Sequence, residues 1–239
     1  MKYSAALYLI ELAVALALLY AVASFVYHVS VSLALARHAV PFQHLSGDYG
    51  STLLVLGDST AVGVGANKPE DTVAGLLAAG LEATYTENHA VSGAVVADIP
   101  SQTAHLARTK YDAILLQIGA NDIIDFKSAA VAAAELSPIL DMLKTHSSTI
   151  YLMSAGNVGG ATIFPYLLRP FYTSLNLKYH DAFAALAREK GITYVNLYTP
   201  QTEDPFSLHP EIYLASDGLH PSSAGYALFY ERLTQVAGL

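Results

Sequence analysis

Residues 52–60 read TLLVLGDST, an uninterrupted apolar run that ends in a Gly-Asp-Ser-Thr turn sequence. A short apolar run bounded by turn-forming residues is typical of a strand that is buried on both faces. Gly, Asp and Ser favour turns for backbone reasons, so the turn alone indicates only where the strand ends. The stretch therefore predicts a buried strand over Thr52–Leu56 with polar residues directly after its carboxyl end.

The same pattern recurs along the chain and alternates with helical periodicity. Strands are predicted over Thr52–Leu56, Ala113–Ile118, Thr149–Ser154 and Ile192–Leu197, with a weaker one over Ala83–Thr86. Helices are predicted over Thr72–Leu81, Ala97–Thr109, Ser128–Thr145, Thr173–Lys190 and Ser223–Ala237. Buried strands that alternate with helices indicate a parallel sheet covered on both faces. The predicted fold class is α/β, a three-layer α/β/α domain around a parallel sheet of five strands.

Composition excludes several classes of protein. The 239 residues are 53% hydrophobic and 13% charged, which excludes an intrinsically disordered chain. Lys and Arg number 12 against 20 Asp and Glu, with no long basic cluster, so we predict no nucleic-acid partner. The absence of cysteine excludes disulfides, thiolate metal sites and cysteine nucleophiles. The His residues outside the motifs below show no metal-ligand spacing, so we also predict no metal and no cofactor.

The excess hydrophobicity is concentrated near the N-terminus. No residue from Leu12 to Tyr27 is charged, and apolar character continues to Ala36. A helix needs roughly 20 residues to cross a bilayer, and this stretch lacks the polar stripe of a core helix. We predict a membrane anchor over residues 1–36, with its helix over about 12–35, a linker over 37–50 and the folded domain over 51–239.

The anchor has an alternative interpretation as a cleaved signal peptide. Ala34-Leu35-Ala36 before Arg37 fits a cleavage site, but the apolar run is longer than an ordinary signal sequence. An uncleaved anchor is therefore the favoured interpretation. Flanking positive charges differ little between the two ends, and we place the folded domain outside the cytoplasm as an expectation.

Polar motifs follow the predicted strands. In an open parallel sheet, ligands bind in the crevice outside the carboxyl ends of the strands. The motifs are Gly57-Asp58-Ser59-Thr60, Asn88 to Gly93, Gly119-Ala120-Asn121-Asp122 and, before the last helix, Asp217-Gly218-Leu219-His220-Pro221. Each could be an ordinary turn, but their order and placement favour one shared crevice.

Together the four motifs resemble those of the SGNH (GDSL-type) hydrolases. The matching residues are Gly57-Asp58-Ser59, Gly93 after Asn88, Gly119-x-Asn121-Asp122 and Asp217-x-x-His220. The resemblance covers residue 51 to the C-terminus, with Thr60 replacing the Leu of the family name. It implies the SGNH hydrolase fold, with a flavodoxin-like sheet, and a serine esterase, lipase or acetylesterase activity. The Gly-x-Ser-x-Gly elbow of the α/β-hydrolases is absent, because residue 61 is Ala.

The resemblance also implies a role for each motif residue. Ser59 would be the nucleophile, His220 the general base and then acid, and Asp217 the group that orients the imidazole. The Ser59 and Gly93 backbone N–H groups and the Asn121 amide would form the oxyanion hole. The alternative roles are a helix cap or turn for Asp217, a turn for Gly93 and a cap for Asn121. Asp58, Ser92 and Asp122 are expected to be structural.

The segment 156–172 follows the fourth strand and should overhang the crevice. It is rich in apolar and aromatic residues, among which Phe164, Tyr166 and Phe171 are candidates for substrate binding. A lid that binds acyl chains and an irregular helix packed on the domain both explain its composition. Neither interpretation is favoured by the sequence.

The sequence as a whole predicts a membrane-anchored serine hydrolase that cleaves an oxygen ester. Its expected partners are the membrane and a small-molecule, lipid or glycan ester. One alternative keeps the mechanism and changes the reaction to deacetylation of, or acyl transfer to, an envelope glycan. An alternative of another class is a catalytically silent surface domain that binds glycan or lipid.

Overall fold

A computed structural model describes residues 2–46 and 50–239 of the chain. In this part of the chain, five parallel strands form one sheet in the order β2-β1-β3-β4-β5, the flavodoxin-like arrangement. The strands are β1 (Ser51–Gly57), β2 (Ala83–Asn88), β3 (Ala113–Gln117), β4 (Ile150–Met153) and β5 (Thr193–Val195). The predicted five-stranded parallel sheet is therefore confirmed, including its weakest strand.

The sheet separates two apolar cores because side chains alternate between its faces. Leu54 and Leu56 of β1 point into one core, whereas Leu53 and Val55 point into the other. All four side chains are fully buried, as the uninterrupted apolar run predicts. β1 lies between β2 and β3, so the residues after its carboxyl end reach the middle of one edge of the sheet.

Helices cover both faces of the sheet, which gives the predicted three layers. The helices are α1 (Lys2–His38), α2 (Ser59–Val62), α3 (Val73–Gly80), α4 (Ile99–Gln102), α5 (Ala120–Ile124), α6 (Ala129–Lys144), α7 (Arg169–Lys190), α8 (Pro205–Leu208), α9 (Pro210–Tyr213) and α10 (Ser223–Ala237). Buried side chains of α6 and α7 belong to one core, and those of α3 and α10 belong to the other. Single 3₁₀ turns lie at Pro69–Asp71, Val96–Asp98, Val158–Gly160 and Tyr166–Leu168.

The helix predicted over Ala97–Thr109 is wrong. The chain makes a 3₁₀ turn and the short helix α4, which ends at Gln102. Beyond it, the backbone N–H of Ala107 donates to the carboxylate of Glu87 at 2.9 Å instead of to a helical carbonyl. The Gln102 side chain turns inward and bonds both the N–H and the carbonyl of Gly57, at 2.9 and 2.8 Å. Tertiary contacts with β1 and β2 thus override the local periodicity.

The N-terminal helix α1 is longer than the predicted span of residues 12–35. Its stretch Ala6–His38 is long and apolar enough to cross a membrane, with a mean hydropathy of 2.3 over an 18-residue window, and is a candidate for an anchor or a signal sequence. After α1 the chain reaches the edge of the sheet, where His44 pairs antiparallel with Thr86 of β2. Residues 47–49 of the predicted linker lie outside the described residues.

Candidate active site

Ser59 lies at the carboxyl edge of the sheet as the first residue of α2. Gly57 allows the turn that places it there, because a Cβ on Gly57 would lie 1.9 Å from the carbonyl oxygen of Gln117 in β3. The side chain of Asp58 then caps α2 by accepting the Thr60 N–H at 2.9 Å. The turn therefore fixes the direction in which the Ser59 hydroxyl points into the crevice.

Asp58 is buried directly beside Ser59. Burial raises the pKa of its carboxyl group from 3.8 to about 6, although the hydrogen bonds from Thr60 act in the opposite direction. The sequence assigned Asp58 a structural role, and its contacts with Thr60 are those of a helix cap.

The loop before α10 carries Asp217 and His220. One carboxylate oxygen of Asp217 accepts the backbone N–H groups of Leu219 and His220, each at 3.0 Å. The other oxygen accepts a hydrogen bond from His220 Nδ1 at 2.5 Å. Burial would raise the pKa of Asp217, but the bonds from His220 and the backbone, with the charge of the imidazole, hold that pKa below its usual value. Asp217 is therefore a carboxylate at neutral pH.

The imidazole of His220 joins the two parts of the site. Its Nε2 lies 2.8 Å from Ser59 Oγ, while its Nδ1 faces Asp217. With Nδ1 protonated and bonded to the carboxylate, Nε2 is free to accept a proton from the hydroxyl. Ser59 is partly exposed to the crevice, whereas His220 is 6% exposed. The arrangement can deprotonate a serine as it attacks a bound group.

Gly93 and Asn121 line the same crevice as Ser59 and His220. Asn121 lies in the first turn of α5, and its amide donates one hydrogen bond to the Ala94 carbonyl at 2.9 Å, which orients the side chain. Gly93 has a φ of +87°, and no described atom beyond its two chain neighbours lies within 4 Å of the position a Cβ would take. The structure thus brings together the five residues that the motifs singled out.

Asn88 and Asp122 support the loops around the crevice. The Asn88 amide donates to the Ala61 carbonyl at 3.0 Å, which ties the end of β2 to α2. Asp122 is fully buried, pairs with Lys127 at 2.8 Å and accepts the Val96 N–H at 3.0 Å. The bond between Asp122 and Val96 holds the loops that carry Gly93 and Asn121 against each other.

The crevice has a volume of about 310 Å³ and is mainly apolar. Side chains from the carboxyl ends of several strands line it, among them Ile118, Met153 and Leu197. Ser32, Leu33 and Ala36 of α1 form a further part of its lining. Sequence reasoning missed these residues of α1, because it treated the helix as an anchor separate from the folded domain.

The aromatic candidates of segment 156–172 do not line the crevice. Phe164 is buried against Tyr172, with ring centroids 4.3 Å apart. Tyr166 and Phe171 are 76% and 56% exposed on the surface. The residues of the segment that line the crevice are Gly156, Asn157, Val158 and Ala161. The segment therefore combines a packed part and an exposed apolar part.

Within residues 2–46 and 50–239, no group of three or more His, Asp or Glu residues is placed to hold a metal ion. The described site consists of Ser59, His220, Asp217 and polar groups of the surrounding loops. Its chemistry can be stated in terms of those side chains.

Comparisons with known proteins agree with this architecture. The sequence model of the "GDSL-like Lipase/Acylhydrolase family" matches residues 55–228. A GDSL-like esterase of Mycobacterium tuberculosis is 26% identical over 186 residues, which are 74% of this chain and 58% of that protein. The chain thus spans less than two thirds of the length of this curated relative.

Two solved structures illustrate the fold. Phospholipase A1 from Streptomyces albidoflavus NA297 has a TM-score of 0.60 and 17% identity, covering 79% of this chain and 100% of that one. An acetyl-xylooligosaccharide esterase from Geobacillus Stearmophilus, solved as a mutant, has a TM-score of 0.58 and 21% identity, covering 80% and 96%. At these identities the likeness shows the fold, which both proteins share with this chain.

Proposed function

Because the chain belongs to the GDSL-like lipase/acylhydrolase family, we propose that it is a membrane-anchored serine hydrolase that cleaves an oxygen ester. The observation that carries the proposal is the continuous hydrogen-bonded series from Ser59 through His220 to Asp217, at 2.8 and 2.5 Å. A silent binding domain would have no need for a serine, an imidazole and a buried carboxylate in this geometry.

In the proposed acylation step, Ser59 Oγ attacks the ester carbonyl while His220 Nε2 takes the hydroxyl proton. Asp217 stabilises the resulting imidazolium and holds the ring in the required tautomer. When the tetrahedral intermediate collapses, His220 returns its proton to the departing alkoxide, and the alcohol leaves. Water then attacks the acyl-Ser59 ester by the same route, which releases the carboxylic acid and restores the hydroxyl.

The charge on the tetrahedral oxygen needs hydrogen-bond donors that are already in place. Ser59 is the first residue of α2, so its N–H has no acceptor within the helix. The backbone N–H of Gly93 and the second N–H of the Asn121 amide complete the proposed oxyanion hole. The bond from Asn121 to Ala94 fixes the amide plane, so little reorganisation is needed during the reaction.

The test of this proposal is hydrolysis of a series of p-nitrophenyl esters, from acetate to palmitate, by the full chain. Ser59→Ala should lose at least about 10³-fold in kcat while it stays folded. Ser101→Ala is the matched control, because Ser101 is exposed and its hydroxyl bonds a nearby helical carbonyl. A Ser59→Ala protein that keeps more than a few per cent of the activity would exclude Ser59 as the nucleophile.

Membrane anchoring is supported by the length and apolarity of α1. The full chain should stay with the membrane pellet during extraction with alkaline carbonate, and its intact mass should include residues 1–36. We place the catalytic domain on the extracytoplasmic side, which protease accessibility in spheroplasts tests. A protein that begins at Arg37 would show that α1 is a signal sequence.

A further inference from the structure

We propose that the last turns of α1 form one wall of the active site, which opens at the membrane surface and takes acyl esters directly from the bilayer. This inference rests on the proposed function, because it names the substrate class of the same site. It also gives α1 a second role besides anchoring.

The helix α1 has two parts that differ in burial. Every residue from 6 to 23 is exposed, whereas one face is partly buried from Ser24 onwards. The partly buried positions of α1 include Ser24, His28, Ser32 and Ala36, which recur at intervals of four residues. That spacing defines a single face of a helix. The first part of α1 is therefore exposed, and one face of its second part packs against the folded domain.

Two contacts, one of them with the catalytic loop, fix this second part on the folded domain. His28 Nδ1 lies 3.1 Å from the backbone carbonyl of Asp217, and a carbonyl can only accept, so the imidazole donates. Val29, next to it, packs against the core that contains Ile118 and Ile163. The end of α1 is thus held by the loop that carries His220.

The residues one and two turns further along α1 face the crevice. Ser32, Leu33 and Ala36 line it together with Ser59 and His220. Ser32 and Ala36 are small and stand on the same side of the helix, which leaves space between α1 and the catalytic residues. An acyl chain placed there would lie against the helix that leads into the membrane.

The position of this wall relative to a bilayer follows from the geometry of the helix. Residues 8–27 make roughly 30 Å of helix, the thickness of the hydrocarbon core, at about 1.5 Å per residue. Tyr8 and Tyr27 then lie at the two interfaces, where tyrosine is enriched. Ser32 and Ala36 follow about 8 and 14 Å beyond the core along the axis, next to the headgroups.

An exposed apolar surface follows closely in the chain after a segment that contacts the same catalytic loop. The Ile163 N–H donates to the Gly218 carbonyl at 3.1 Å, which ties segment 156–172 to this loop beside Asp217. A few residues later, Tyr166, Leu167 and Phe171 are 76%, 88% and 56% exposed. Exposed aromatic and aliphatic side chains of this kind are suited to the boundary between headgroups and acyl chains. We assign the membrane surface as their partner.

The experiment uses the full chain in phosphatidylcholine proteoliposomes and compares two substrates. These are 4-methylumbelliferyl palmitate dissolved in the bilayer and 4-methylumbelliferyl acetate in solution. Ala36→Phe should fill the space beside the wall and lower the palmitate-to-acetate ratio of kcat/KM by about tenfold, the loss expected when roughly two methylene groups can no longer be buried. Leu33→Ala, a milder change, should lower the same ratio about threefold.

Ala34→Phe is the matched control, because Ala34 is exposed, lies in the same helical turn and does not line the crevice. It should keep the wild-type ratio. Equal palmitate-to-acetate ratios in Ala36→Phe, Leu33→Ala and the wild type would overturn the inference. In that case, loss of activity in Ser59→Ala would still support the proposed function. Wild-type turnover confined to acetate would also overturn it. If Ala36→Phe fails to fold, the ratio in Leu33→Ala decides.

Discussion

Asp58 shows how the residues around the proposed nucleophile, Ser59, combine structural and electrostatic roles. Its carboxyl group caps α2 and is buried next to Ser59, and burial raises its pKa from 3.8 to about 6. Between pH 3.8 and about 6, Asp58 is therefore protonated in the folded state and ionised in the unfolded chain. The stability that this proton contributes is present below pH 3.8 and is lost as the pH rises through about 6.

The Asp58→Asn variant tests this account. An amide can still accept the Thr60 N–H but cannot ionise, so the variant avoids the cost of a buried charge. Its unfolding free energy relative to the wild type should rise by about 2 to 3 kcal/mol between pH 4 and pH 7. Denaturant unfolding of both full chains in the same detergent measures the difference. A difference that does not change with pH would show that Asp58 titrates normally.

The Asp217→Asn variant tests the role of the buried carboxylate. The amide cannot hold His220 in the tautomer that leaves Nε2 free, so kcat should fall about 10³- to 10⁴-fold. Asp141→Asn is the control, because the Asp141 carboxylate is 57% exposed and pairs with Lys190 at the surface. Steady-state kinetics on p-nitrophenyl butyrate provide the comparison. Full activity in Asp217→Asn would remove Asp217 from the mechanism.

For individual residues, the sequence predicts the site best where the residues of a motif are close together in the chain. Asp217 and His220 are three positions apart, so one loop brings them together, and Ser59 follows directly from a buried strand. The structure places these three within hydrogen-bonding distance. Phe164 shows the limit of such reasoning, because its position in an apolar segment does not reveal which side chains point inward.

At the scale of elements, the close approach of β1 and β3 determines where Ser59 can lie. Gly57 ends β1 with a φ of +140°, in contact with the backbone of Gln117. Gln102 reinforces the turn by bonding both backbone groups of Gly57. The amide of one buried side chain thus supports the turn from which the proposed nucleophile projects.

The Gly57→Ala variant should lose stability sharply, since its Cβ would meet the Gln117 carbonyl oxygen at 1.9 Å. We expect a loss of more than about 3 kcal/mol, seen as a large fall in melting temperature or as failure to fold. Gly156→Ala is the matched control, because its Cβ would meet Phe229 at an ordinary 3.4 Å. Equal melting temperatures for the two variants would contradict the proposed constraint on β1.

Sequence patterns predicted the sheet well because its central strands are buried on both faces and read as apolar runs. They failed at Ala97–Thr109, where the periodicity is helical but Glu87 and Gly57 capture groups of the segment. Groups that lie 20 or more positions away in the chain, the Glu87 carboxylate and the Gly57 backbone, decide that outcome. The local sequence pattern does not predict these long-range contacts.

At the scale of the molecule, the central feature is the junction between α1 and the catalytic domain. Apolar composition predicts α1 as a membrane span, but an apolar helix facing lipid and one facing a crevice look alike in sequence. The structure shows that one face of α1 is partly buried from Ser24 onwards, which the sequence of α1 alone does not reveal. The contact of His28 with Asp217 then links α1 to the proposed site.

Covalent labelling of the full chain with a fluorophosphonate, followed by peptide mass spectrometry, tests whether Ser59 is the nucleophile. A serine activated by His220 should attack the phosphorus and carry the label, so we expect one modified peptide that contains Ser59. The label should disappear in Ser59→Ala and persist in Ser101→Ala. A label on another residue, or a wild-type protein that takes up none, would contradict the account.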